Sequence, residues 1–244
     1  MQENEHDAPH SHPWHQLILA QTGSLRTRTE NSEYFLPFNR ALLIPAGTPH
    51  ESWAVTRADF LGVYLDPQVL ELTIESCEVY EISNLFRELL FHYAEQIQPL
   101  EKPNKQEQRL ARVLVDLCSQ QTPVRFDLAL PSSKRVAPIV QALLAEPTNR
   151  ELADAWAKRV GMSARSLDRL FQSESGQSFN QWRQRLSLYH SLALLEKGHP
   201  VKAVALDIGY RSPSAFIHRF KSEFGLTPLQ YAASTSEKAR TRPS

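Results

Sequence analysis

Cysteine is nearly absent: Cys77 and Cys118 are the only two among 244 residues. They lie far apart and match no metal or redox spacing, so a disulfide scaffold, a zinc ribbon and dithiol chemistry are set aside. Two reduced thiols in a cytoplasmic protein are expected instead. No apolar run approaches the roughly 20 residues a membrane-crossing helix needs, and no membrane partner is expected. The opening MQENEHDAPHSHPWH is acidic and His-rich, the wrong chemistry for a signal peptide. Net charge is also missing, with 27 Lys+Arg against 27 Asp+Glu. What remains is an ordinary soluble composition, 41% hydrophobic and 22% charged, in a chain long enough for two modest domains.

The zero net charge conceals a split. Residues 1–133 hold 10 Lys+Arg and 18 Asp+Glu, whereas residues 134–244 hold 17 and 9. Such asymmetry suggests that the C-terminal half meets a polyanion. The N-terminal half reads as β-structure. WHQLILA, SLRTRT, RALLIPAG and FLGVYLDP are short runs rich in β-formers, bounded by Gly23, Pro37, Pro45-Ala46-Gly47 and Asp66-Pro67, which suggests a small sandwich or barrel. Two helical stretches follow, near 83–98 and 106–120. Their Leu85, Leu89, Leu110, Leu114 and Leu117 either pack on the barrel or form a dimer contact. Residues 119–133, with Pro123 and Pro131, read as a linker. Beyond Lys134 the period is helical throughout, with helices expected near 135–145, 150–160, 164–173, 178–197, 201–208, 213–222 and 228–233.

Two stretches of the C-terminal half repeat each other. In LADAWAKRVGMSARSLDRLFQSESG (152–176), Ala155, Ala157, Val160 and Gly161 correspond to Ala203, Ala205, Ile208 and Gly209 of PVKAVALDIGYRSPSAFIHRFKSEFG (200–225). After the turn, Ser163, Leu167, Phe171, Glu174 and Gly176 correspond to Ser212, Phe216, Phe220, Glu223 and Gly225. Each copy holds small alanines for close helix approach, a turn glycine, a serine to cap the second helix, and an apolar stripe along it. These are the parts of a helix-turn-helix. Removing the buried stripe leaves Arg165, Asp168 and Arg169 facing out of the first recognition helix, and Pro213, Ser214, His218 and Arg219 on the second. Arg165 and Arg169 are spaced to reach guanine edges in one groove, and Asp168 could accept from cytosine or orient an arginine. Arg183, Arg185, Lys202, Arg211 and Lys221 are candidate phosphate contacts.

At these residues the chain resembles the AraC/XylS family of transcriptional regulators. The resemblance rests on VALDIGYRSPSAFIHRFKSEFGLTPLQY and MSARSLDRLFQSESGQSFNQWRQRLSL, and covers about the last hundred residues. It implies that the helix near 178–197 is a rigid spacer, holding two recognition helices in successive major-groove segments about 34 Å apart. The family often carries arginine at the position of His218, so the first unit is expected to dominate base readout.

The His-rich start and the PAGTPH segment resemble a cupin. His10 and His12 form an H-x-H pair, taken as alternate residues of one strand that point into the barrel. With Gln16, where metal-binding cupins usually place Glu, and His50 of the second motif, they are the candidate metal ligands for Zn, Fe, Mn or Ni. The same residues fit a cupin shape without metal. Trp14, His15, His50, Trp53 and Tyr64 are the candidate ligand-binding residues at the barrel mouth.

The expected fold is α+β: a cupin-like sensor barrel over 1–80, a helical connection and linker over 81–133, a double helix-turn-helix domain over 134–234 and a disordered tail over 235–244. The expected function is a cytoplasmic, sequence-specific regulator of transcription. Its partners are double-stranded DNA, a small-molecule or metal effector, a second copy as homodimer, and RNA polymerase. No catalytic residue is assigned. A metal-dependent cupin oxygenase or isomerase with a DNA-binding tail is the competing class, weakened by Gln16, and a ligand-independent regulator is a third.

Overall fold

A computed structural model describes residues 1–67, 74–96, 104–121, 123–124 and 126–240. The strands are β1 (His6–His10), β2 (His15–Thr22), β3 (Leu25–Arg28), β4 (Ser32–Leu36), β5 (Arg40–Ile44), β6 (His50–Ala54), β7 (Asp59–Leu65), β8 (Glu78–Glu81), β9 (Pro123–Val124) and β10 (Asp127–Ala129). Two antiparallel five-stranded sheets result, ordered β1-β6-β3-β4-β10 and β7-β2-β5-β8-β9. The expected barrel is thus a pair of open sheets enclosing a core. Among the described residues each edge strand pairs on one side only.

The apolar run of β2 is explained by cover on both faces. Ile18 and Ala20 point between the sheets to meet Leu25, Leu36, Leu42, Ile44 and Ala54. Leu17 and Leu19 point the other way, toward Phe86, Leu90 and Leu114. Those last three lie on α1 (Asn84–Gln96) and α2 (Lys105–Ser119), which form a layer over the second sheet. Packing on the sheet therefore accounts for Leu114 fully and for Leu89, Leu110 and Leu117 in part, whereas Leu85 stays 63% exposed. Residues 97 and 98 of the expected first helix lie outside the described residues.

The helices that follow are α3 (Ala137–Ala145), α4 (Ala153–Arg159), α5 (Ala164–Ser175), α6 (Phe179–Glu196), α7 (Val201–Asp207), α8 (Pro213–Phe224) and α9 (Pro228–Arg240). The first six fall within three residues of where the periodicity placed them, and α9 begins where expected but runs further. Two boundaries need correction. The expected linker supplies β9 and β10, whose backbones complete the sheets beside β8 and β4, so the β-domain does not end at residue 80. The expected tail from 235 onward is helical to Arg240 as the end of α9; residues 241–244 lie outside the described residues.

The sheets and helices share one apolar core. Tyr189 of α6 is buried with its ring 4.9 Å from that of Phe35 and 5.2 Å from that of Phe126, both from the first sheet's side. Its other neighbour, Phe224 of α8, lies 6.0 Å away. Side chains of this size contribute about 1.5–3 kcal/mol each on burial, so the junction is a packed seam. Trp182, fully buried on α6, donates its indole N–H to the carbonyl of Ala129 in β10 at 2.8 Å. The α6 C-terminus is tied as well: the Glu196 carboxylate accepts from Thr56 at 2.6 Å, from Ser24 at 3.0 Å and from the Tyr231 hydroxyl. Burial raises the Glu196 carboxyl above its ordinary value, while these donors pull against that rise.

Candidate functional site

The two repeat units share their backbone construction. Gly161 and Gly209 take φ of +62° and +93° at the turns, a region that penalises a Cβ. In the first unit Met162 N donates to Ala157 O at 2.9 Å; in the second Tyr210 N donates to Ala205 O at 2.9 Å. Both expected caps form, with Ser163 Oγ accepting from Ser166 N at 3.1 Å and Ser212 Oγ from Ala215 N at 3.3 Å. Leu167 and Phe171 of α5, and Phe216 and Phe220 of α8, are completely buried. Between the units runs α6, 18 residues and about 27 Å long, opened by a capping box at Ser178.

The burial fixes what each recognition helix shows to solvent. On α5 it is Arg165, Asp168 and Arg169; at the matching positions on α8 it is Ser214, Ile217 and His218. Ile217, 37% exposed, was not among the residues the sequence placed on this face. Lys202, Arg211 and Lys221 are exposed, and Pro213 occupies the first turn of α8.

Four of the polar candidates have structural partners. Asp168 Oδ1 accepts from the Phe179 N–H at 3.1 Å, capping the start of α6. Arg183 is half-buried against the Phe179 ring and donates to the Glu151 carbonyl and to Asn180; burial lowers its pKa. Arg185 pairs with Glu223 at 2.9 Å inside the seam, and Arg219 pairs with the same carboxylate at 3.1 Å. Arg183 and Arg185, suggested by the sequence as phosphate contacts, are thus held by partners within the protein.

In the β-domain the structure sorts the aromatic and histidine candidates onto different faces. His15 is buried toward the α1–α2 side like Leu17, and its Nδ1 accepts from the Ala46 N–H at 3.0 Å. Trp53 stacks on His6 at 4.9 Å on the outer face of β6, with the Arg26 and Arg28 guanidinium groups beside it. Strand alternation separates Trp53 from His50, so neither Trp53 nor His15 joins the pocket expected of them. Trp53 instead borders a cavity of about 230 Å³ between the first sheet and α6.

The remaining candidates converge. His10 stands opposite His50 in the β1–β6 register, with ring centroids 4.4 Å apart. His12 is not on the strand with His10, because β1 ends at His10. The chain folds back instead, held by the Gly47 N–H on the His12 carbonyl at 2.8 Å. That fold brings the His12 ring 5.2 Å from His50 and 5.0 Å from Tyr64. Trp14 meets Tyr64 edge-on at 6.0 Å, and both are about half exposed, forming a rim. Beneath lies a cavity of about 210 Å³ whose lining includes Asp7, Gln16, His50, Ser52, Phe60 and Tyr64. Burial lowers the His50 pKa, and the neighbouring His10 and His12 add to the effect. Both thiols are raised by burial, Cys77 to about 11, and so are poor nucleophiles.

Comparison with known proteins agrees with this division. The profile of the AraC-like ligand binding domain matches residues 1–130, and that of a helix-turn-helix domain matches residues 156–234. The chain belongs to the AraC family of DNA-binding transcriptional regulators with an N-terminal ligand-binding domain. It is 34% identical over 224 residues to the HTH-type transcriptional regulator NimR of Escherichia coli (strain K12), covering 92% of this chain and 81% of that protein. The regulatory protein SoxS of Salmonella typhimurium is 34% identical over 79 residues, which are 32% of this chain and 74% of SoxS. Among solved structures, the DNA-binding domain of AdpA in complex with a target DNA is 29% identical with a TM-score of 0.41, covering 45% of this chain and all of that one. No described helix is long and apolar enough to cross a membrane.

Proposed function

We propose that this regulator reads a promoter through α5 and α8 and that an effector held in the β-domain biases that reading through the seam at α6. The observation that carries it is the matched pair of capped recognition helices with outward Arg165 and Arg169 on one and Ser214, Ile217 and His218 on the other. Arg165 and Arg169 suit guanine O6/N7, and Ile217 suits a thymine methyl. Lys202, Arg211 and Lys221 supply phosphate contacts that set register. The first unit then carries more base readout than the second. Asp168 acts on α5 and α6 rather than on a base, and Arg219 is shared between Glu223 and the DNA backbone.

The same reading makes the protein a cytoplasmic homodimer without catalytic activity, with RNA polymerase as its downstream partner. Leu85, exposed on the α1–α2 layer, is consistent with a second copy docking there. The Trp14–Tyr64 rim above the histidine cluster is the entry for the effector.

The test is anisotropy titration of labelled DNA from upstream of the protein's own gene against a scrambled duplex, across a salt series. Binding at least about a thousandfold tighter to the upstream duplex is expected. Equal affinity for both duplexes would defeat the reading.

A further inference from the structure

The rings of His10, His12 and His50 are held in one tautomer each. His10 Nδ1 lies 2.8 Å from the Ala8 carbonyl, His12 Nδ1 lies 2.7 Å from the Trp14 carbonyl, and His50 Nδ1 lies 2.9 Å from the Thr48 carbonyl. A carbonyl oxygen can only accept, so every Nδ1 carries a proton. In the neutral ring this leaves Nε2 with a free lone pair. One ring nitrogen from each of the three lies within 4.8 Å of those of the other two. With every Nδ1 engaged, the three Nε2 lone pairs are the ones left to share a partner at this half-buried spot, and a cation is a partner that all three can bind at once. His15 shows the contrast: its Nδ1 accepts from a backbone N–H, so the neutral ring has the opposite tautomer, and strand alternation puts it on the same face of β2 as Leu17.

Gln16 sharpens this. Its amide lies 3.4 Å from His12 Nε2, close enough for the amide oxygen and that nitrogen to share one cation, or for the amide NH2 to donate to the nitrogen when the group is turned over. Gly62 keeps the space for the amide, since a Cβ there would meet Gln16 Nε2 at 3.2 Å. Asp7 Oδ2, 3.9 Å from His10 Nε2, supplies nearby negative charge.

We propose that His10, His12 and His50 form a divalent transition-metal site through their three Nε2 atoms, with Gln16 beside the open coordination positions that face the cavity. Backbone carbonyls holding the far nitrogen of each ligand are the usual support of such histidines. An all-imidazole set selects Zn²⁺, Ni²⁺, Co²⁺ or Cu²⁺ over Mn²⁺ or Mg²⁺, which favour oxygen. This rests on reading the β-domain as the effector domain, and it makes the effector the ion itself or a small chelator completing its coordination.

The experiment uses the untagged full chain, stripped with a chelator and dialysed. Co²⁺ is titrated in while its visible absorption is recorded, and Zn²⁺ and Ni²⁺ are quantified by elemental analysis after equilibrium dialysis. One ion per chain with nitrogen-rich tetrahedral or five-coordinate absorption is expected. H10Q and H12Q should each weaken binding about tenfold or more, and H6Q, outside the cluster, should bind like the parent. The near-UV circular dichroism of every variant is compared with the parent's, so that a misfolded protein is not scored. Failure to take up any ion, or parental binding by both H10Q and H12Q, overturns the site. Specific DNA affinity is measured on the same samples, so that intact promoter binding without metal uptake defeats the metal site and leaves the regulator standing.

Discussion

Thr56 Oγ1 donates to Glu196 Oε2 at 2.6 Å, joining the loop after β6 to the last residue of α6. One carboxylate thereby connects the sheet that carries His50 to the helix that separates the two DNA-reading units. The third donor, Tyr231, ties in α9 as well. An effector that shifts β6 therefore acts on groups bonded directly to the spacer helix.

Glu196 makes the seam sensitive to pH. Burial raises its carboxyl, so the folded chain holds a proton over a range where the unfolded chain has lost it. The stability this proton linkage provides is complete below the ordinary carboxylate value of about 4.3 and declines as pH rises to the raised native value. E196Q stays uncharged, and the neighbouring hydroxyls can turn to suit the amide. The stability of the parent relative to E196Q should fall as pH climbs through that window, as followed by urea unfolding at several pH values. A difference that does not vary with pH would remove Glu196 from the linkage.

Arg169→Ala should weaken specific binding by about 1–3 kcal/mol and relax preference at one base position. Anisotropy with a panel of single-base variants of the operator checks this. An equal loss on operator and random DNA would reassign Arg169 to the backbone.

Lys202→Gln should weaken binding to all duplexes alike and reduce the salt slope by about one. The slope of affinity against salt concentration decides, and an unchanged slope takes Lys202 out of the interface.

Asp168 should behave as a cap. Asp168→Ala removes the acceptor for the Phe179 N–H and should cost about 0.5–2 kcal/mol of stability, while Asp168→Asn keeps an acceptor and should cost less. Thermal melts measure the first effect. Base preference unchanged in Asp168→Asn would separate it from Arg169, whereas a shifted preference would return Asp168 to the readout face.

The helical half was legible because its signals are local. Ser163 and Ser212, Gly161 and Gly209, and the i, i+4 spacing of Phe216 and Phe220 each act within a few residues of themselves. The β-half depends on distant partners. HDAPH contains few β-formers and becomes β1 because β6 supplies its hydrogen bonds. Asp127–Ala129 looks like a linker until β4 is beside it. The cluster of His10, His12 and His50 was foreseen from residue types, yet the assumed route was wrong, since the loop between β1 and β2 rather than a strand carries His12 to it. Trp53 was misplaced because the face of β6 on which it stands is set by which neighbours the sheet acquires. Glu196 gave one hint, an acid closing the apolar run LALLE. Only folding brings Ser24, Thr56 and Tyr231 around it.

The three residues of β10 carry a practical consequence. Their backbone finishes a sheet on one side and receives the Trp182 indole on the other. A fragment cut at Lys134 to isolate the helical half would leave that indole N–H without its acceptor and strip Phe126 from the ring of Tyr189. Dissection of this regulator has no clean place to cut there: the strand that reads as a hinge is a shared wall.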